Sequence, residues 1–269
     1  MKACFSTLGC PDWSFDDILA TAVDFGYKGI EIRGIANEIY VPAIPCFDSK
    51  KAESTKAKLQ KARLDIVCLD SAAYLYEENP KYMAEAKAYI DTAAAFAIPY
   101  VRVLGDKDPQ PGKEIDTAKV MRNLAVLNDY AKATNVTVLI ETNGVFADSA
   151  FLKKQLDAAG LDHVGVLWDI HHPYRYFNET PETTYQNLQK YIRHIHIKDS
   201  VLEKDAIRYK MLLEGDVPIV DTISLLKKNA YDGYISLEWV KRWYQDLEEP
   251  GIVFMHFIDT IQTLWNTGS

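Results

Sequence analysis

Four side chains that can bind a metal ion stand at the ends of four consecutive strand-like segments in the second half of the chain. Glu141 ends VTVLIE, Asp169 ends VGVLWD, His196 lies in IRHIHIKD and Glu238 ends YISLE. Three carboxylates crowded together without a cation repel one another, and their pKa values rise. Oxygen-rich ligation with one imidazole suits Mn²⁺ or Mg²⁺, and Zn²⁺, Co²⁺ and Fe²⁺ are compatible with it. The pattern therefore predicts a site for one divalent metal ion.

Each of these residues alone has a simpler interpretation, a strand-end charge that is solvated or paired with a loop. Equivalent positions on four successive segments favour a shared site instead. Side chains alternate faces along a strand, so the residue two before each candidate shares its face. Those residues are Leu139, Leu167, His194 and Ser236. A packed barrel interior accepts most of them, and we expect the four polar groups to lie above that interior.

Short apolar segments alternate with segments of helical period along the whole chain. The predicted strands cover residues 3–8, 29–33, 65–69, 100–104, 137–141, 164–169, 192–197 and 234–238. The predicted helices cover 14–26, 49–62, 82–97, 117–133, 149–159, 183–191 and 221–230, with a last one near 257–265. Residues 241–251, after the last predicted strand, are predicted to form a long loop. Strands and helices that alternate about every 30 residues indicate a parallel sheet with helical crossovers.

Eight such units predict a single (β/α)₈ TIM barrel, with residues 1–269 as one domain. The open doubly wound sheet is the alternative, but no Gly-x-Gly-x-x-Gly follows the first strand. In a barrel of this kind the chemistry takes place at the C-terminal ends of the strands, where the four candidate ligands stand.

The composition argues against nucleic-acid and membrane partners. The net charge is −8, and neutralising phosphates requires a basic face. No apolar run approaches the roughly 18 residues of a membrane span, and no export signal is recognisable at the N-terminus. The four cysteines form no C-x-x-C pair, which fits free thiols in a reducing compartment. We expect a cytoplasmic protein that binds a small sugar or polyol; a homo-oligomer is compatible with the sequence.

The motifs HIHIKDS, WDIHH and SLEW resemble those of the xylose isomerase-like TIM-barrel family of sugar phosphate isomerases and epimerases. The resemblance covers essentially the whole chain. It includes LLEGDVPI, which is similar to the family's Gly-Glu-Gly-Asp loop with Leu213 in place of a glycine. The resemblance implies one metal ion held by Glu141, Asp169, His196 and Glu238, with the two glutamates also acting as acid and base. It further implies that Glu31 and His172 bind substrate.

Two cationic residues after the seventh predicted strand are further substrate-binding candidates. Lys198 shares a face with His196 and is suited to a substrate oxygen or phosphate, although a lysine at the rim is as often only solvated. Arg208 lies in the following loop and is suited to anchoring substrate, with a surface arginine as the alternative. In the second strand, Arg33 and Glu31 project together, and pairing with each other is their simplest role.

These residues predict a metal-dependent sugar isomerase or epimerase that removes a proton next to a carbonyl and proceeds through an enediolate. A dehydratase or lyase acting on a keto-sugar, an inosose or a 3-keto-glycoside shares that first step and stays open. Ala147 stands where the family's ketose 3-epimerases carry a further glutamate, which disfavours 3-epimerisation of a free ketose.

Two interpretations from other classes are less favoured. An endonuclease IV-like nuclease on this barrel uses three zinc ions and many histidines, whereas this acidic chain has six histidines. A non-catalytic sugar-binding barrel would not need the complete set of metal ligands.

Overall fold

A computed structural model of the chain describes residues 1–112 and 114–267. The barrel strands are β1 (Lys2–Ser6), β2 (Gly29–Ile32), β3 (Asp65–Tyr74), β4 (Tyr100–Leu104), β5 (Thr137–Glu141), β6 (Val164–Asp169), β7 (Ile192–Ile197) and β10 (Tyr234–Leu237). They are parallel and close in the order β1-β10-β7-β6-β5-β4-β3-β2. The predicted (β/α)₈ barrel is confirmed, and each predicted strand overlaps an observed one.

Helices cover the outside of the barrel. They are α1 (Phe15–Asp24), α2 (Ala52–Ala62), α3 (Lys81–Phe96), α4 (Thr117–Ala131), α5 (Ser149–Ala159), α6 (His171–Phe177), α7 (Pro181–Leu188), α8 (Ile219–Lys228) and α9 (Pro250–Thr267). A capping box between Ser14 and Asp17 begins α1, which lies within the predicted helix 14–26. Within the described residues, no helix is both long and apolar enough to cross a membrane.

The strand register determines which side chains meet at the mouth of the barrel. Pairing of β6 with β7 places Asp169 beside His196, and pairing of β7 with β10 places Ser236 beside His196. Glu238 follows Ser236 by two residues and therefore projects from the same face, one level closer to the mouth.

The chain differs from the sequence prediction mainly after β7. An antiparallel hairpin, β8 (Asp199–Glu203) and β9 (Ala206–Lys210), follows that strand directly. Its turn residues Lys204 and Asp205 both have positive φ, 48° and 64°. Such turns usually contain glycine or asparagine, and neither residue stands at these two positions. The hairpin could therefore not be recognised from the sequence. Helix α9 begins at Pro250, earlier than predicted, because proline is tolerated in the first turn of a helix.

Candidate active site

Three of the four predicted ligands converge at the C-terminal mouth of the barrel. One carboxylate oxygen each from Glu141 and Glu238 and one ring nitrogen of His196 lie within 4.8 Å of one another, and all three residues are buried. Asp169 borders this group, with its Oδ2 3.9 Å from His196 Nδ1. The strand ends thus place the four side chains together, as the sequence predicts.

The imidazole of His196 is oriented so that one nitrogen faces the carboxylates. Its Nε2 is hydrogen-bonded to Glu31 Oε1 at 2.6 Å, and since a carboxylate accepts, Nε2 carries the proton. Its Nδ1 lies 3.5 Å from Glu238 Oε1. This buried Nδ1 has no hydrogen-bond partner in the described part of the chain. A buried nitrogen left unpaired is unfavourable, and a cation bound by the adjacent carboxylates would satisfy it. The residues therefore fit a divalent metal ion.

Glu31, predicted to bind substrate, lies beneath the site instead of in it. Its fully buried carboxylate is hydrogen-bonded to His194 Nε2 at 3.2 Å, to His196 Nε2 and to the Ser236 hydroxyl at 2.5 Å. Burial alone would raise the pKa of Glu31, but His196 and His194 lower it. Burial would also lower the pKa of His196, but Glu31 and Glu238 raise it to about 10. Glu31 thus orients His196 and strengthens its attraction for a cation.

Replacing Glu31 by glutamine is expected to weaken Mn²⁺ binding about 10- to 100-fold, because carboxylate partners of metal-bound histidines contribute this much to affinity. Isothermal titration calorimetry on the folded variant measures the change. Glu53→Gln, on an exposed helical residue, is the matched control. Wild-type affinity in Glu31→Gln would contradict this role of Glu31.

Lys198 places an ammonium group among the same carboxylates. Its buried Nζ forms ion pairs with Asp169 Oδ2 and Glu238 Oε2. Burial lowers the pKa of Lys198, but Asp169 and Glu238 raise it well above its usual value. The lysine in turn lowers the pKa of Glu238, against the opposing effect of burial. Lys198 therefore stays charged and shares two carboxylates with any metal ion that binds here.

Replacing Lys198 by methionine is expected to tighten Mn²⁺ binding roughly tenfold, or ~1.4 kcal/mol, because the competing cation is removed. Calorimetric titration of both proteins at one pH measures the difference. Lys153→Met, on the exposed surface of α5, is the matched control. Unchanged or weaker binding in Lys198→Met would show that the lysine does not compete.

His172 and Arg102 hold Glu141 from the other side. His172 Nδ1 donates to the Thr142 carbonyl at 2.9 Å and lies 3.7 Å from Glu141 Oε1. Burial lowers the pKa of His172 below its usual value. Arg102, which the sequence analysis missed, lies with its Nε 3.4 Å from Glu141 Oε2 and 3.8 Å from Asp70 Oδ1. The available signal was a charged residue in the otherwise apolar strand YVRVL.

Above these groups lies a cavity of about 280 Å³. Glu141, His172, Lys198 and Glu238 line its floor, and its walls include Tyr74, Tyr209, Trp243 and Tyr244. Its size suits a small ligand. Arg208 does not line the cavity. It lies on β9, where it is exposed to solvent and pairs with Val201 of β8. A second cavity of about 580 Å³ lies at the N-terminal end of the barrel strands and contains none of these residues.

Comparison with known proteins agrees with the barrel fold. Residues 19–253 match the family model described as xylose isomerase-like TIM barrel. The chain belongs to this family. A search of curated proteins finds no match.

Several solved structures are similar to this member of the xylose isomerase-like TIM barrel family, and some of their names describe different activities. One is the probable 3-DHS dehydratase AsbF from Bacillus anthracis, with 17% identity, a TM-score of 0.77, and coverage of 97% of this chain and 99% of that one. Another is 3-keto-D-glucoside 4-epimerase from E. coli, with 15% identity, a TM-score of 0.73, and coverage of 98% and 99%. A third is the IOLI protein with a bound zinc atom, with 18% identity, a TM-score of 0.76, and coverage of 100% and 99%. At these identities the similarity establishes the fold.

The loop that carries Leu213 keeps a left-handed backbone without the glycine common in the family. Leu213 has φ of +69°, and its N–H donates to Asp199 Oδ2 at 2.9 Å. Gly215 N–H donates to the same oxygen at 3.0 Å, and Val217 N–H donates to Oδ1 at 3.2 Å. Asp199 thus holds the loop against the hairpin through backbone hydrogen bonds.

Proposed function

We propose that this protein is a metal-dependent isomerase or epimerase of a small sugar or polyol, and that it removes a proton next to a carbonyl group. The observation that carries this proposal is the buried group of Glu141, His196 and Glu238 on the floor of a small cavity, with His196 Nδ1 left without a partner in the described chain. Binding alone would not require this arrangement of acids.

The proposed metal ligands are Glu141, Asp169, His196 and Glu238, and their oxygen-rich set favours Mn²⁺ or Mg²⁺. When bound there, a divalent ion would act as a Lewis acid that stabilises negative charge on the carbonyl oxygen of the substrate. Zn²⁺ is also compatible with these donors, and the similar IOLI structure contains zinc.

In the proposed reaction the two glutamates move the proton. Glu141 extends β5 and Glu238 follows β10, and two strands, β7 and β6, separate them around the barrel. Their carboxylates therefore approach a ligand from different sides. One glutamate, as carboxylate, takes the proton from the carbon next to the carbonyl, and the other, in its protonated form, delivers a proton to the resulting enediolate. Return to the opposite face of that carbon gives an epimer, and return to the neighbouring carbon gives an isomer.

The surrounding side chains orient these carboxylates and can bind the substrate. Arg102 orients Glu141 and Lys198 orients Glu238. Lys198 and His172 line the cavity, where Lys198 can donate to a substrate oxygen and the unprotonated Nε2 of His172 can accept a hydrogen bond from a substrate hydroxyl. The aromatic side chains of the wall can pack against the apolar face of a bound sugar.

A dehydratase or lyase is the second candidate. The same proton removal followed by loss of a neighbouring leaving group gives elimination. Ala147, buried at the end of the segment Gly144–Ala147, favours this candidate, because it stands where a glutamate of the ketose 3-epimerases is expected. Similarity to a probable dehydratase supports it as well.

Proton abstraction can be tested without knowing the product. Mn²⁺-loaded protein is incubated in deuterated water with ketoses, inososes and 3-keto-glycosides, and NMR follows exchange at the carbon next to the carbonyl. We expect exchange with at least one class, and loss of water or of the aglycone of a glycoside would identify the second candidate. Absence of exchange across the whole panel would favour a binding protein.

A further inference from the structure

Arg33, directly after β2, is a buried cation that forms no ion pair with any residue that the structure describes. It lines the same cavity as Glu141 and Lys198 and is 7% exposed. Among residues 1–112 and 114–267 none forms an ion pair with it, and its buried Nη1 has no hydrogen-bond partner. The pairing with Glu31 expected from the sequence is not formed, because that carboxylate is bound by His194, His196 and Ser236.

An unpaired guanidinium at this depth is unusual, since buried charges are normally paired. The other arginine of the cavity, Arg102, lies against the carboxylates Asp70 and Glu141. Burial lowers the pKa of Arg33 and the positive charge of nearby Arg102 lowers it further, by more than Tyr89, Asp70 and Tyr74 raise it. Both effects disfavour the cation, and an anion bound beside it would reverse them.

The guanidinium is also held in a defined orientation. Its central carbon lies 5.8 Å from the centroid of the Trp243 ring, a cation–π arrangement. The contact leaves the guanidinium N–H groups to form hydrogen bonds, and their planar arrangement matches two oxygens of a carboxylate or phosphate.

The remaining charges of the cavity favour an anion as well. Lys107 and Lys198 line it together with the two arginines. The lining carboxylates, Glu141 and Glu238, are already engaged by Arg102 and Lys198. A divalent ion on the floor adds further positive charge. The cationic side chains that line the cavity outnumber its carboxylates by four to two, and such an excess of positive charge attracts an anionic ligand.

We propose that Arg33 binds an anionic group of the substrate, a carboxylate or a phosphate, at a distance from the carbon that loses its proton. The substrate class is then a sugar acid or a sugar phosphate instead of a neutral sugar. This identification rests on the proposed function, but the anion site can be measured without turnover.

Three four-carbon probes test the site in the Mn²⁺-loaded protein by calorimetric titration: erythritol, D-erythronate and erythritol 4-phosphate. We expect one of the anions to bind at least about tenfold more tightly than erythritol, as charge-assisted hydrogen bonds predict. Arg33→Met is expected to remove this preference and to leave erythritol binding and Mn²⁺ affinity unchanged. Arg122→Met, on the exposed surface of α4, is the matched control. The tighter anion distinguishes a sugar acid from a sugar phosphate.

Equal binding of all three probes, or an anion preference that survives in Arg33→Met, would overturn the inference. The second outcome would mean that the metal ion or another cation of the cavity holds the anion. If Arg33→Met does not fold, Arg33→Lys keeps the charge without the planar edge, and an intermediate loss is expected. Hydrogen exchange on neutral keto-sugars without anion binding would sink this inference alone. Anion binding without any exchange would sink only the proposed function.

Discussion

Turnover is expected to fall about 10²- to 10⁴-fold when either Glu141 or Glu238 is replaced by glutamine, the range that positioned acid and base groups contribute. Glutamine matches glutamate in shape but cannot accept a proton at its amide oxygen near neutral pH. Both residues lie above the packed barrel interior, so circular dichroism and the melting temperature should stay close to those of the wild type. Rates are measured at saturating Mn²⁺, so that weaker metal binding does not account for the loss.

Glu203→Gln provides the control for this pair, since it removes the same charge from the exposed hairpin. Full activity in either active-site variant would remove that glutamate from the proposed proton transfer. If exchange in deuterated water persists in only one of the two variants, the base is the glutamate that this variant still contains.

Removal of divalent metal is expected to lower turnover by at least ~10³-fold, because Lewis-acid stabilisation contributes several kcal/mol. The protein is dialysed against EDTA, the chelator is removed, and the rate is measured before and after Mn²⁺ or Mg²⁺ is added. Activity should return with about one equivalent of the ion, and the Glu31→Gln variant should need a higher concentration. A rate that survives thorough chelation would contradict the proposed use of the metal.

The barrel and the positions of the four candidate metal ligands could be predicted from the sequence because both follow from local rules. Strand–helix alternation gives the fold, and parallel strands bring their C-terminal ends to one rim. Glu141, Asp169 and Glu238 could therefore be placed from strand ends alone, and His196 from its alternation with His194. None of these inferences needed a contact between distant segments.

The predictions that failed depended on contacts across the barrel. Glu31 and Arg33 share a face of β2, so pairing with each other was the simplest expectation. The structure instead turns Glu31 toward His194 and His196, more than 160 positions away in the chain, which leaves Arg33 unpaired. Strand order and twist decide such contacts, and neither is written in the local sequence. The prediction for Arg208 failed for a related reason. The turn at Lys204 and Asp205 contains no glycine, so the hairpin that carries Arg208 could not be recognised from the sequence.

X-ray diffraction from crystals grown with Mn²⁺, recorded at the manganese absorption edge, tests the central claim most directly. One anomalous peak is expected, bonded to Glu141, Asp169 and Glu238 through oxygen and to His196 through Nδ1. No peak among these side chains, or a cluster of three ions as in an endonuclease IV-like enzyme, would contradict it.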